Sequence, residues 1–112
     1  MATAVARKLD NIKDRGGISA REVAQLLDTT PQTISRWQTG RSSPQPDSLN
    51  RLLRLEWLAE QLGQFYEPDE ARLWLFSPHG ELGGERPADL VAGDRIDEVL
   101  AIIDRLQSAA YG

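Results

Sequence analysis

The chain has 112 residues, 40% of them hydrophobic, with a formal net charge of −4, a single histidine and no cysteine. That length holds one compact unit or two small halves sharing a core, and the missing thiols exclude cysteine nucleophiles, thiolate metal sites and disulfides. No apolar run approaches the ~20 residues needed to span a bilayer and the start shows no signal-peptide pattern, so a cytoplasmic protein is expected.

A first helix is predicted from about Ala4 to Arg15, with Val5, Leu9 and Ile12 on one stripe and Gly16-Gly17 ending it. Ser19 caps a second helix and Glu22, three residues on, completes a capping box; Val23, Ala24, Leu26 and Leu27 face inward. Asp28-Thr29 form a tight turn. Thr30 caps a third helix whose first position is Pro31, where a missing N–H does no harm. Ile34 and Trp37 point to the core and Gly40 ends this helix. After a loop over residues 41–46, Asp47 is the expected cap of a longer helix reaching about Gln64. Its apolar positions (49, 52, 53, 55, 57, 58, 59 and 62) cover more than one face, which suits a spine shared between halves or a self-association surface.

Glu67-Pro68-Asp69-Glu70 opens the next helix with acids at its positive end. Trp74, Leu75 and Phe76 finish it, and Ser77-Pro78 stops it, because a residue before proline leaves the helical region. A glycine-rich turn follows. Pro87 opens about one and a half helical turns to Ala92, Gly93 breaks them, and Asp94 is expected to cap a last helix. Ile96, Val99, Leu100, Ile103 and Leu106 form its stripe. No strand pattern and no repeat appear, so the fold class is all-α.

Charge divides along the chain. Residues 1–46 carry seven basic side chains (Arg7, Lys8, Lys13, Arg15, Arg21, Arg36, Arg41) against four acids, whereas residues 47–112 carry six arginines against thirteen acids, balances of +3 and −7. The first half suits phosphates and the second a basic partner, although ordinary solvated faces account for the asymmetry too.

Ser19 to Gly40 looks like a helix-turn-helix of the Xre/Cro repressor class: Ala24 permits a close crossing, while Ile34 and Trp37 anchor the second helix. Its exposed start would enter the major groove, with Gln32 and Thr33 facing base edges and Ser35 and Arg36 one turn along. Gln pairs bidentately with adenine and Arg with guanine, and Thr33 offers a methyl to thymine. Arg41 suits a phosphate contact that positions without reading sequence. The plain readings are that Thr30 is a cap, Thr33 bonds within its own helix and Arg36 is a solvated charge. Asp28 stands where such motifs often have glycine. With a pI near 4.9, DNA binding calls for a homo-oligomer or a hetero-oligomer with a partner, half-sites lying about 34–36 Å apart.

The run Trp74-Leu75, then Pro78, Leu82, Gly83 and Gly84, then Pro87, with Gly93 and a last helix carrying Val99, Leu100 and Ile103, resembles the C-terminal toxin-binding domain of Xre/MbcA/ParS antitoxins. His79 and Gly80 stand where that family usually has Asn and Pro. The resemblance implies an N-terminal Xre-like bundle (residues 1–66) joined by the long helix to a small helical toxin-binding domain (residues 67–112). It implies as partners a RES-domain toxin, an ADP-ribosyltransferase-like enzyme that consumes NAD, and operator DNA through which the pair represses its own promoter. A pocket built for an anionic dinucleotide is basic, which an acidic half complements.

Trp74, His79 and Leu82 are the candidate docking residues, with core packing as the plain reading of Trp74 and simple exposure that of His79. The chain end is small and narrow, with a ring and a carboxylate at its tip. Ala109, Ala110, Tyr111 and Gly112 are therefore read as a plug for the toxin's substrate pocket, fraying being the plain alternative. No catalytic residue, metal site or cofactor is expected, since one histidine and no spaced ligand cluster build neither a triad nor a zinc site. Two rivals stay open: a stand-alone Xre-type regulator whose second half only oligomerises, and a scaffold with a degenerate helix-turn-helix.

Overall fold

Short polar side chains set where the helices begin. In the computed structural model, which describes residues 3–111 and the side chains of residues 3–109, Thr3 Oγ1 accepts from the N–H of Ala6 at 3.0 Å and opens α1 (Ala4–Gly16). Ser19 and Glu22 form the expected reciprocal box at the start of α2 (Ala20–Leu26), with bonds of 2.9 and 3.2 Å. Thr30 caps α3 (Pro31–Thr39) through the N–H of Thr33 at 3.1 Å. α4 (Pro46–Leu62), α5 (Pro68–Leu75), α6 (Pro87–Ala92) and α7 (Ile96–Tyr111) follow. The described residues contain no strand, so the all-α expectation holds.

Two expected caps move. α4 starts at Pro46 with Gln45 as its cap, and Asp47 sits in the first turn, because proline fills the first helical position one residue earlier. Asp94 does not cap α7. It adopts φ 61° and closes α6: its N–H reaches Val91 O at 3.1 Å and that of Arg95 reaches Leu90 O at 2.7 Å, the paired bonds of a Schellman ending. Asp28 closes α2 in the same way at φ 55°, bonding Gln25 O while Thr29 bonds Ala24 O.

One apolar cluster serves the whole molecule, running from Leu9 and Ile12 through Trp37 and α4 to Leu75, Leu90 and Ile103. α4 is its spine. Leu52, Leu55, Leu58, Ala59 and Leu62 are fully buried, whereas Leu53 and Trp57, 39% and 53% exposed, lie outside that arc. α1 packs along one flank, where Gly16 meets Ala59 and Lys8 pairs with Glu56 at 3.1 Å. α7 lies along the other flank, through Arg54–Asp97 and the buried Gln61, whose side chain bonds Gln107. On α7, Ile102 is buried and Leu106 is 36% exposed, a slightly rotated version of the expected stripe.

Two arginines tie the helix-turn-helix to the C-terminal half. Arg51 of α4 donates to Leu26 O and Leu27 O at the end of α2, and to Val91 O and Ala92 O at the end of α6, over 3.3–3.5 Å. Arg72 of α5 reaches Gly17 O at 3.3 Å and pairs with Glu22 at the start of α2. Gly17 makes the approach possible: at φ 67°, a Cβ there would stand 2.4 Å from Pro68 O. Opposite effects follow at two left-handed positions. Asp28→Gly should raise stability by about 1 kcal/mol through relief of backbone strain, whereas Gly17→Ala should cost at least ~1–2 kcal/mol. Urea unfolding of both variants checks the two signs together.

Candidate functional site

The helix-turn-helix presents a polar ridge. Gln32, Ser35, Arg36 and Thr39 are exposed along α3 at helical spacing, opposite the buried Ile34 and Trp37. Thr33 is half-buried and its hydroxyl lies 2.9 Å from that of Thr30, so it belongs to the cap. Thr39 Oγ1 donates to Ser35 O and Arg36 O, which ties its hydroxyl to its own helix. Gly40 ends α3 at φ 77°, leaving Arg41 exposed just beyond. Gln32, Ser35, Arg36 and Arg41 thus lie together on or beside one exposed helix, with Thr33 beneath.

The second face is built by the loop after α5. His79 N donates to Glu85 O at 3.1 Å, and Gly84 N and Leu82 N donate to His79 O at 2.9 and 3.0 Å. These bonds fold residues 79–85 into a closed turn containing a 3-10 segment, Gly80–Leu82, with Gly83 and Gly84 at φ 66° and 85°. The His79 ring lies against Trp74, centroids 4.9 Å apart, and its Nε2 donates to Trp74 O at 2.9 Å. Trp74 and His79, both candidate docking residues, therefore meet, and with Tyr66, Glu70, Leu73 and Ser77 they line a groove of 340 Å³. Leu82 is half-buried and packs on the core beside this groove.

Sequence reasoning missed Leu73. It is 69% exposed, because Ala71 and Leu75 turn α5 inward and leave the intervening position facing out. That helical spacing was available from the start. Ala109 is exposed near the end of α7. Ala110, Tyr111 and Gly112, assigned to the same tail, lie outside the residues whose side chains are described.

Ion pairs hold the loop's far side: Arg86 with Asp89 at 2.7 Å, and Arg95 with Glu98 and Glu85 at 2.6 and 3.3 Å. Hydrogen bonding from each arginine keeps the Asp89 and Glu98 carboxyls below their ordinary range. Arg72 stands between the two faces, its guanidinium 5.0 Å over the Phe76 ring. Its hydrogen bond to Glu22 is the main reason that carboxyl is lowered, Ser19 adding to it and burial opposing. Among the described residues no cluster of metal-ligating side chains forms, and no helix is long and apolar enough to cross a membrane.

Comparison with known proteins matches both halves of the chain. A helix-turn-helix family fits residues 4–64, and the family described as the antitoxin Xre/MbcA/ParS C-terminal toxin-binding domain fits residues 57–108. The chain is 34% identical over 98 residues to the mycobacterial cidal antitoxin MbcA of Mycobacterium tuberculosis, covering 88% of this chain and 87% of that one. A probable mycobacterial cidal antitoxin of the same organism is 28% identical over 95 residues, covering 85% of this chain and 81% of its own length. A chain in the crystal structure of the M. tuberculosis MbcT–MbcA toxin–antitoxin complex superposes with a TM-score of 0.82 at 32% identity, covering 96% of both.

The lowered Glu22 carboxyl has a consequence for acid stability. A depressed folded-state pKa contributes stability that is present above the unfolded value and lost as pH falls through the folded one. Glu22→Gln should therefore be destabilised near neutral pH, and the gap to wild type should close below the ordinary glutamate range. Urea midpoints across that interval test this; a gap that ignores pH would separate the Glu22–Arg72 contact from the effect.

Proposed function

This chain belongs to the Xre/MbcA/ParS antitoxin family, and on that premise we propose that it neutralises a RES-domain, NAD-degrading toxin by covering its active site. The carrying observation is that the likeness spans the helix-turn-helix and the toxin-binding half together. Residues 67–112 act as the toxin-facing part. The exposed Leu73 beside the Trp74–His79 stack offers an apolar anchor, and a large exposed apolar side chain next to a pocket is what a protein partner buries. Leu82 supports that surface from beneath. Ala109, Ala110, Tyr111 and Gly112 enter the toxin's substrate pocket and exclude NAD. The chain works as a binding protein in the cytoplasm, with no cofactor and no catalysis of its own.

Residues 1–66 act on DNA. Gln32, Ser35 and Arg36 read base edges, Thr33 holds the start of α3 and contributes at most its methyl, and Arg41 contacts phosphate. Since the whole chain is acidic, operator binding is completed by pairing of copies or by the toxin complex, with Leu53 and Trp57 on α4 as the exposed apolar pair for self-association. The complex then represses its own promoter. A stand-alone regulator would share this DNA face but would not use the groove or the tail.

Two measurements test the halves separately. Removing residues 109–112 should restore NAD consumption by the co-purified toxin while the circular dichroism of the antitoxin stays helical; undiminished inhibition would exclude the plug. Gln32→Ala or Arg36→Ala should cost ~1–3 kcal/mol at one operator position, read by binding to single-base operator variants. A purified chain that neither binds nor silences any NAD-consuming neighbour would leave the regulator.

A further inference from the structure

The groove on α5 has a chemistry that selects its occupant. Its lining is the half-buried Tyr66 and Trp74, the exposed Leu73, His79 and Ser77, with Glu70 as its one carboxylate. Two of its donors are already spent: Ser77 Oγ donates to Leu73 O at 2.6 Å and His79 Nε2 to Trp74 O at 2.9 Å. The rest of the lining is mostly apolar, aromatic residues and Leu73, with the negative charge of Glu70.

No ion pair to the described residues answers that charge. All six arginines of residues 47–112 are engaged elsewhere: Arg51 with Asp94, Arg54 with Asp97, Arg72 with Glu22, Arg86 with Asp89, Arg95 with Glu85 and Glu98, and Arg105 with Glu81. Glu70 has no ion pair among the described residues. One of its oxygens accepts from the N–H of Glu67 at 3.0 Å, which holds the carboxylate in place at the start of α5.

Resting on the antitoxin reading above, we propose that this groove receives an arginine side chain of the toxin, its stem on Leu73 and its guanidinium between the Trp74 ring and the Glu70 carboxylate. A planar, weakly hydrated guanidinium stacks on aromatic faces and forks onto a carboxylate, which a compact ammonium does less well. An anionic group would be repelled. A purely aliphatic occupant would bring the partner's surface over Glu70 and leave its charge without a counter-ion.

Glu70→Gln is the informative variant, because glutamine at this position keeps the acceptor that caps Glu67 and removes only the charge. Toxin affinity of this variant should fall on the order of 10-fold, with a weaker dependence on salt than wild type. Wild-type affinity and salt dependence in the variant would overturn the proposal while leaving the antitoxin reading intact. A toxin-free arm uses N-acetyl-arginine methylamide at millimolar concentration, with the uncharged citrulline analogue as control. NMR shifts confined to Leu73 and Trp74, seen with arginine and not with citrulline, are expected. No shift, or equal shifts with both, overturns the groove chemistry; shifts without any toxin binding would instead sink the antitoxin reading.

Discussion

The guanidinium of Arg51 ties the end of α2 to the end of α6. A helix leaves its last carbonyls without partners inside the helix, and here two helices end against each other. The carbonyls of Leu26 and Leu27 close α2, those of Val91 and Ala92 close α6, and all four converge on one side chain from α4. Only a planar group with five donors can serve so many acceptors at once. At the other end of α2, Arg72 takes Glu22 and Gly17 O. The first helix of the helix-turn-helix is therefore held at both ends by residues outside that motif. Its orientation relative to the loop of residues 79–85 is a property of the whole chain.

Charge plays a different part. Exposed ion pairs such as Arg86–Asp89 and Arg95–Glu98 contribute little to stability. They occupy cations, however, and leave the start of α5 acidic beside a groove of rings and an exposed leucine. Balance between the halves matters for what each can meet: a polar ridge with Arg36 and Arg41 at one face, an acidic and apolar surface at the other. A single continuous core joins them, so neither face is an appendage.

Much of this was legible in the residues. Caps at Ser19 and Thr30 and the endings at Gly17 and Gly40 follow from hydrogen-bonding geometry within four residues, and the inward Ile34 and Trp37 from helical spacing of apolar residues. The punctuation around Ser77-Pro78 and Gly83-Gly84 marked a shaped turn, but not that His79 would lie against Trp74. The misses came from choices between neighbours. Asp47 and Asp94 both have a capping side chain, but Pro46 pre-empts one and a left-handed backbone uses the other. Along α5, helical spacing already marked Leu73 as the outward residue.

Local rules acting over one or two helical turns thus determined the elements, their all-α class and the polar faces they carry. Packing decided the rest, because contacts between residues far apart in the chain leave no periodic trace in it. That Ile18 is buried, that Gln61 finds Gln107, and that Arg51 lies between the end of α2 and the end of α6, far apart in sequence, depends on how closely α1, α4 and α7 approach. The same holds for the groove: its residues come together only in the fold, and its carboxylate is left without an ion pair while the arginines of the C-terminal half pair elsewhere.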